Sequence, residues 1–323
     1  MKRRHLLQRS LAVAALNPWG LQSWAQAWPQ RHVRVIVPFA AGSFTETAAR
    51  AIGQELSSTL GQPFVIETKG GAGSTLGTDL VAKAQPDGYT LLLTDNSYAV
   101  SAALYAKLPY DPDKDIVKIS PVAEAPAVIM VHKDAPYRTL TELVEDARKR
   151  PGKLTFGSGG QGSSAHLALE LFCSDVQIEL THIPYKGAAP ATAAILSGEV
   201  NLFCAAITQA LPNIKAGKLL PIATAGPNPS PLTPDIPTIA RTYPDVSLAT
   251  WFGVLAPPKT PSAVVSALQN ELRRVQDDPG VKQKLAALGI DTTWVAGAEF
   301  SALIERELAK WTKVIKAAGI KPD

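Results

Sequence analysis

Two stretches of this chain follow one plan: a short apolar strand, a turn of small residues and the opening of a helix. The first runs Arg34-Val35-Ile36-Val37 and then Pro38-Phe39-Ala40-Ala41-Gly42-Ser43-Phe44-Thr45-Glu46. Pro38 ends the strand ladder, and apolar residues at 48, 52, 56 and 60 predict a helix that Gly61 stops. The second runs Lys153-Leu154-Thr155-Phe156, then Gly157-Ser158-Gly159-Gly160-Gln161-Gly162-Ser163-Ser164, then a helix through Phe172. A helix start carries unpaired backbone N–H groups and about half a positive charge. It favours an anion by roughly 0.3–2 kcal/mol before any side chain contributes. Each stretch therefore reads as half of an anion-binding site.

Around them, strands and helices alternate. Strands are predicted at 64–67 and 89–93, separated by Lys69-Gly70-Gly71-Ala72-Gly73-Ser74-Thr75-Leu76-Gly77 and a helix to Ala84. This βαβαβ rhythm predicts a parallel sheet flanked by helices. Leu108-Pro109-Tyr110-Asp111-Pro112 reads as a proline-fixed loop. A second run follows, with strands at 128–131, 153–156, 178–183, 200–204 and 219–225, a helix at 141–150, and another opening near Pro190 and closing at Gly198. After the proline-rich connector 227–237 come a strand at 251–256 and helices at 261–275, 281–288 and 299–317. Those last helices have apolar faces but no sheet of their own to cover. Returning the chain to the first sheet at about Trp251 covers them. The expected fold class is α/β, with a discontinuous first domain (28–125 and 250–323), a second domain (126–249) and two crossing segments as a hinge.

The N-terminus has the form of a secretory signal over residues 1–27: Lys2, Arg3 and Arg4, a mostly apolar run to Trp24, and Ala25-Gln26-Ala27 as an A-x-A cleavage site. Sec and twin-arginine export both stay open. The whole chain has 32 basic and 28 acidic residues, a formal charge of +4. Loss of Lys2, Arg3, Arg4 and Arg9 with the leader brings the balance to zero. The processed chain then lacks the basic field that nucleic acid or a membrane surface requires, so any anion site must be local. No other apolar run reaches the length of a membrane span. Cys173 and Cys204 either bridge or remain as two buried thiols, and no metal-ligand spacing is present.

Further marks accumulate along the chain: Pro86-Asp87-Gly88-Tyr89-Thr90-Leu91-Leu92, Ala103-Leu104-Tyr105, Gly157-Ser158 with Gly162-Ser163-Ser164 and His166, Pro184-Tyr185-Lys186-Gly187, Lys215-Ala216-Gly217-Lys218-Leu219 and Trp251-Phe252-Gly253. With these, the chain resembles the substrate-binding receptors of the tripartite tricarboxylate transporter family, the Bug-type or TctC proteins. The resemblance implies a type II periplasmic binding protein fold, a two-domain Venus flytrap. It implies a monomer in the periplasm that closes on a small carboxylate and hands it to membrane permease subunits, with no cofactor and no chemistry on the ligand. Carried onto this chain, Phe39, Ala41, Gly42, Ser43, Phe44, Thr45 and Glu46 form one jaw; Ser158, Gly162, Ser163, Ser164 and His166 form the other.

The departures from the family pattern bear on the ligand. The family usually has two prolines, a run of glycines and Thr-Asp in the first loop, where Ala40, Ala41, Ser43, Phe44 and Glu46 stand here. It usually has an acid after the Val200 strand, where Ala205 stands. An apolar wall of Ala205, Ala206 and Phe44 suits an aromatic or plain aliphatic dicarboxylate, terephthalate-like in shape; citrate, an amino acid or a nicotinate-type ligand is the alternative within the family.

Each candidate has a plainer reading beside it. Ser43-x-x-Glu46 is a capping box, in which Glu46 reaches back to the Ser43 N–H instead of meeting ligand. Phe44 packs on the sheet or faces ligand. Ser163, Ser164 and His166 contain a nucleophile and a base, but Ser164 and His166 are two apart at a helix start and point in different directions. No orienting acid accompanies them, so no catalysis is expected. His132 and His182 read as ordinary strand residues, and Trp251 as hinge packing. Gly71-Ala72-Gly73 with Gly77 and Asp95 resembles a dinucleotide fingerprint and makes an NAD(P)-linked oxidoreductase the rival. Against that rival stand the export signal and the position of these glycines in the second strand–loop–helix unit.

Overall fold

The computed structural model describes residues 28–320 apart from 161–162, 227–228, 231, 245, 247 and 318. The expected leader lies outside the described residues. In chain order the first elements are β1 (Val33–Val37), α1 (Phe44–Leu60), β2 (Phe64–Thr68), α2 (Thr75–Ala82), β3 (Thr90–Asp95), α3 (Ser97–Leu104) and β4 (Val117–Ala125). Then come β5 (Ala127–His132), α4 (Leu140–Lys149), β6 (Thr155–Ser158), α5 (Ser164–Val176), β7 (Thr181–Pro184), α6 (Ala188–Ser197), β8 (Leu202–Ala206), α7 (Ile207–Lys215) and β9 (Leu219–Thr224). The chain ends with β10 (Thr250–Ala256), α8 (Ser262–Asp277), α9 (Pro279–Ala287) and α10 (Gly297–Ala317).

The strands form two sheets, ordered β2-β1-β3-β10-β4 and β7-β6-β8-β5-β9. The three strands of the first βαβαβ unit pair in parallel as expected, and each sheet adds antiparallel strands to its parallel set. In the first sheet β1 pairs parallel with β2 and β3, but β10 runs antiparallel to β3 and β4. In the second, β6 pairs parallel with β7 and β8, whereas β5 is antiparallel to β8 and β9. The reason is the crossing between lobes. Pro126 alone separates β4 from β5, so one extended path leaves the first sheet and enters the second, and β10 brings the chain back. Residues on the crossing strands cannot share the direction of strands that belong to βαβ units.

Three elements, α3, β4 and α7, have no counterpart in the sequence reading, and two of them contain a proline. β4 carries Pro121, which has no N–H for the ladder, and its pairing with β10 shifts register at Phe252/Gly253 where Pro121 sits. α7 carries Pro212 inside a nine-residue helix.

The first lobe is built around Val35, Ile52, Leu93, Phe252 and Leu268, the second around Ile129, Phe156, Phe172 and Leu202. α10 belongs to both. Its 21 residues span about 30 Å. Phe300 and Ile304 pack with Trp251 and Leu255 in the first lobe, while Trp311, Val314 and Ile315 join the core of the second. Lys310 also pairs with Asp175 of α5 at 2.8 Å. The expectation that the final helices cover the first sheet alone is corrected accordingly: α10 exceeds the face that one lobe offers. Cys173 and Cys204 are buried free thiols. No helix among the described residues is long and apolar enough to cross a membrane.

Candidate functional site

The two sheets turn the carboxyl ends of their parallel strands toward one cavity, the place where helices following those strands begin. A first chamber of about 430 Å³ is lined by Ser43, Phe44 and Thr45 at the start of α1, by Ser163 and Ala165 at α5, by Ala188 at α6 and by Ala206 and Gln209 at α7. A second chamber of about 270 Å³ shares Phe39, Asp95, Ser163, Ala168, Leu248 and Thr250 with the first. It continues past Asn96 and Ser97 at the start of α3 to an apolar end formed by Val100, Leu104, Leu171 and Trp311, with Glu307. Among the described residues lining either chamber there is no Lys, Arg or His. Positive potential in this cavity comes from helix termini, whose first N–H groups lack intrahelical acceptors.

The first loop splits between wall and scaffold. Phe39, Ser43, Phe44 and Thr45 line the first chamber; Ala41, Gly42 and Glu46 do not. Ser43 caps α1, its Oγ accepting the Glu46 N–H at 3.2 Å. Glu46 returns the interaction one residue earlier than a capping box prescribes, with Oε2 accepting the Gly42 N–H at 2.7 Å. The Ser43 N–H is already given to the Ala40 carbonyl at 3.3 Å, which explains the shift. The Arg50 guanidinium donates to Oε1 through Nε at 2.8 Å. The Gly42 bond, then Arg50, hold the Glu46 carboxyl below its ordinary range. Phe44 meets Phe252 edge-on with ring centroids 5.7 Å apart and also lines the chamber.

The glycines of the second loop are engaged in packing. A β-carbon on Gly70 would lie 2.8 Å from the Ala40 N, and one on Gly77 2.8 Å from the Pro38 Cα. This loop thus presses backbone to backbone on the first one, and side chains are excluded by contact within the lobe. Asp95, the acid of the dinucleotide reading, faces the cavity instead. Its Oδ2 accepts the Thr45 hydroxyl at 2.7 Å, its Oδ1 accepts the Ser97 N–H at 2.9 Å, and burial pushes its pKa up.

In the second lobe, Ser163 caps α5, its Oγ accepting the His166 N–H at 3.4 Å, and lines both chambers. Gly162 lies outside the described residues, as does the side chain of Ser164. Ser158 and His166 stand behind the wall, at 0% and 2% exposure. The His166 ring stacks on His182 with centroids 3.8 Å apart, and His182 stacks on Phe156 at 4.9 Å. His182 Nε2 lies 2.6 Å from Ser158 Oγ, which also donates to the Gly160 carbonyl at 2.9 Å. A serine and an imidazole at this distance resemble a nucleophile and its base, but Ser158 is sealed from both chambers and its hydroxyl holds the turn. Burial, and then His166, lower the His182 pKa to about 4. Ala205 lines the first chamber, as does Cys204, whose thiol burial pushes up to about 12.

Sequence reasoning missed His182, Gln209, Ala188, Leu248 and Thr250, and gave Asp95 a different task. Gln209 was hidden because Pro212 argued against α7. Asp95 had a readable signal, an acid at a strand end two residues before a helix start.

Comparison with known proteins agrees with this architecture. Residues 48–320 match the model of the tripartite tricarboxylate transporter family receptor. The chain is 35% identical over 313 residues to a UPF0065 protein in the tcbD-tcbE intergenic region of Pseudomonas sp. (strain P51), covering 95% of this chain and 93% of that protein. R. palustris Rpa4515, in a structure with adipate, is 33% identical and superimposes with a TM-score of 0.74 over 92% of this chain and 100% of that one. MatC (Rpa3494) from Rhodopseudomonas palustris, with bound malate, is 33% identical with a TM-score of 0.69 over 89% and 100%. The fold is a two-lobed type II periplasmic binding protein, and the chain belongs to the tripartite tricarboxylate transporter receptor family.

Proposed function

We propose that this chain is an exported receptor that captures a small carboxylate between its lobes and delivers it to the permease subunits of a tripartite tricarboxylate transporter. One observation carries the reading: the starts of α1, α5, α6 and α7, contributed by both lobes, open onto a single chamber whose described lining holds no basic side chain. Such a chamber attracts anions through backbone dipoles and stays selective for those small enough to reach several helix starts at once. In this reading Phe39, Ser43, Phe44, Thr45, Ser163 and Ala205 meet the ligand. Ala41, Gly42, Glu46, Ser158 and His166 set the shape of the two loops, and Gly162 and Ser164 complete the second.

The ligand is an aromatic or aliphatic dicarboxylate, terephthalate-like in shape. Helix starts on opposite lobes suit a carboxylate at each end, and Phe44, Phe203, Ala205, Ala206 and Phe252 suit an apolar body between them. The adipate and malate of the related structures are both diacids. The lobes divide at 125/126 and 249/250 and close as a flytrap, which requires that ligand bind the closed state more tightly than the open one. The protein works as a monomer in the periplasm after cleavage near Ala27, and it performs no chemistry.

The test is a thermal-shift and calorimetry panel of mono-, di- and tricarboxylates, with small-angle scattering on the best binder. A dicarboxylate should raise the melting temperature through mass action and reduce the radius of gyration. Citrate or glutamate binding far more tightly than any aromatic diacid, with or without a donor on its ring, would sink the ligand assignment, and unchanged dimensions with a tight ligand would sink closure.

A further inference from the structure

Asp95 closes β3 and stands in the walls of both chambers, where they meet. Its oxygens have separate partners, the Ser97 N–H at 2.9 Å on Oδ1 and the Thr45 hydroxyl at 2.7 Å on Oδ2. The two oxygens together accept about four hydrogen bonds, so with the Thr45 hydroxyl, the Ser97 N–H and the Ser97 hydroxyl beside them the carboxylate keeps acceptor capacity. The residue is partly accessible, and it belongs to the wall of the cavity. Holding the Ser97 N–H accounts for an acceptor oxygen at this place but not for a charge, because Ser, Thr or Asn can accept it as well.

The charge needs a partner that the described residues of the cavity walls do not supply. No Lys, Arg or His is found among the described residues of either chamber. The enclosing protein accordingly drives the Asp95 pKa upward. Glu307, the other acid in the second chamber, is engaged differently: the indole N–H groups of Trp251 and Trp311 donate to it at 3.1 and 3.4 Å. An enclosed carboxylate without a counter-charge is costly, and a ligand that brings a donor relieves that cost.

We propose that Asp95 is a specificity-determining residue of this receptor, which takes a hydrogen-bond donor, an ammonium or a hydroxyl, carried on the body of the bound carboxylate. The inference rests on the reading of the cavity as a carboxylate site and adds one group to its ligand. It also revises what the alanine at 205 implies: the cavity does contain an acid, but it projects from the first lobe and not from the strand after Val200. Thr45 is then a positioning residue. Its hydroxyl fixes Oδ2 from the first turn of α1, which ties the loop that meets the carboxylate to the group that reads the donor.

The experiment is calorimetric titration of the protein, expressed as the full chain with its own leader, with acids that differ by one group: succinate, malate and aspartate; terephthalate and 2-aminoterephthalate; propionate, lactate and alanine. In whichever series binds, the donor-bearing acid should bind at least tenfold more tightly than its bare parent. Asp95→Asn and Asp95→Ser, which both keep an acceptor for the Ser97 N–H, should erase that preference for the ammonium-bearing acids. Circular dichroism should show both variants folded, and agreement between two different replacements separates lost charge from lost structure. The proposal is overturned if bare parents bind as tightly as their donor-bearing partners, or if either folded variant keeps the wild-type preference for the ammonium-bearing acids. Should diacids fail while monoacids bind, the dicarboxylate assignment falls and the Asp95 ratio is still read in the monoacid series. Binding of no carboxylate in any series overturns both.

Discussion

The two loops that frame the cavity share a backbone plan and differ in what holds them. The first is braced by charge and by contact: Glu46 between Gly42 and Arg50, Asp95 against Thr45, and a second glycine loop pressed on Pro38 and Ala40. The second is held by a Ser158 hydroxyl against His182, a stack of His182 between His166 and Phe156, and Glu170 at 3.6 Å from the His166 ring. Both expose a serine-capped helix start to the same chamber. The difference teaches that helix starts face the chamber from both sides, while the first loop is braced by carboxylates bonded directly to its own residues and the second by a hydroxyl and a ring stack. The first loop should tolerate little change in shape, and the second should respond to protons.

The largest effect is expected where backbone meets backbone. Gly77 lies inside α2, where glycine to alanine ordinarily stabilises by up to about 1 kcal/mol. Here the added carbon would sit 2.8 Å from the Pro38 Cα and 2.9 Å from the Lys69 carbonyl oxygen, neither of which is a flexible tip. Gly77→Ala should therefore reverse the usual sign and destabilise by about 1–3 kcal/mol, lowering Tm by about 2–10 °C in differential scanning calorimetry. The matching change in the second loop, Gly157→Ala, meets the Val200 Cγ2 at 3.3 Å, a side chain that can yield, and should cost less than about 1 kcal/mol. Equal costs, or a higher Tm for Gly77→Ala, would remove the contrast between the loops.

A smaller effect tests whether both helix starts meet the ligand. Ser43→Ala and Ser163→Ala each remove a cap, which costs about 1 kcal/mol of stability. Each should also weaken carboxylate binding roughly three- to tenfold, the range of one hydrogen bond. Similar losses on the two sides support a ligand spanning the lobes. A loss confined to one variant would make the cavity a one-sided site.

Much of this arrangement was legible in the sequence because its signals are local. Pro38 and Gly61 bracket the first unit, Ser43 and Ser163 announce two caps, and the late return of the chain follows from terminal helices with nothing else to cover. What escaped depends on tertiary context. β4 and α7 contain prolines that local rules count against them, and the antiparallel crossing strands follow from the hinge, which no local pattern encodes. His182 looked like an ordinary strand residue since its meaning lies in stacking against a helix 16 residues earlier in the chain. Glu46 caps one residue away from its motif because a turn hydrogen bond had already taken the Ser43 N–H.

The smallest effect at neutral pH separates the loops by titration. Burial and the neighbouring His166 lower the folded pKa of His182 to about 4, while Glu170 pulls weakly the other way. An unfolded histidine titrates near 6.5. Between about 6.5 and 4 the unfolded chain thus binds more protons than the folded one, so stability rises with pH through this window and is lost as pH falls. Because the ring is partly exposed, the slope should fall short of that of a fully buried group. Glu46 behaves in a separate range: its carboxyl is held low by Gly42 and Arg50, and the stability it contributes persists above the ordinary carboxylate pKa and is lost in more acidic solution. The second loop should therefore loosen first on acidification, seen as faster amide exchange at Ser163 and Ala165 than at Gly42 and Thr45 near pH 5.5, relative to pH 7.5. His182→Gln retains a partner for Ser158 without an imidazole and should flatten the dependence of Tm on pH between 6.5 and 5. An unchanged slope in that variant would show that the second loop owes its order to something other than the His182 ring stack.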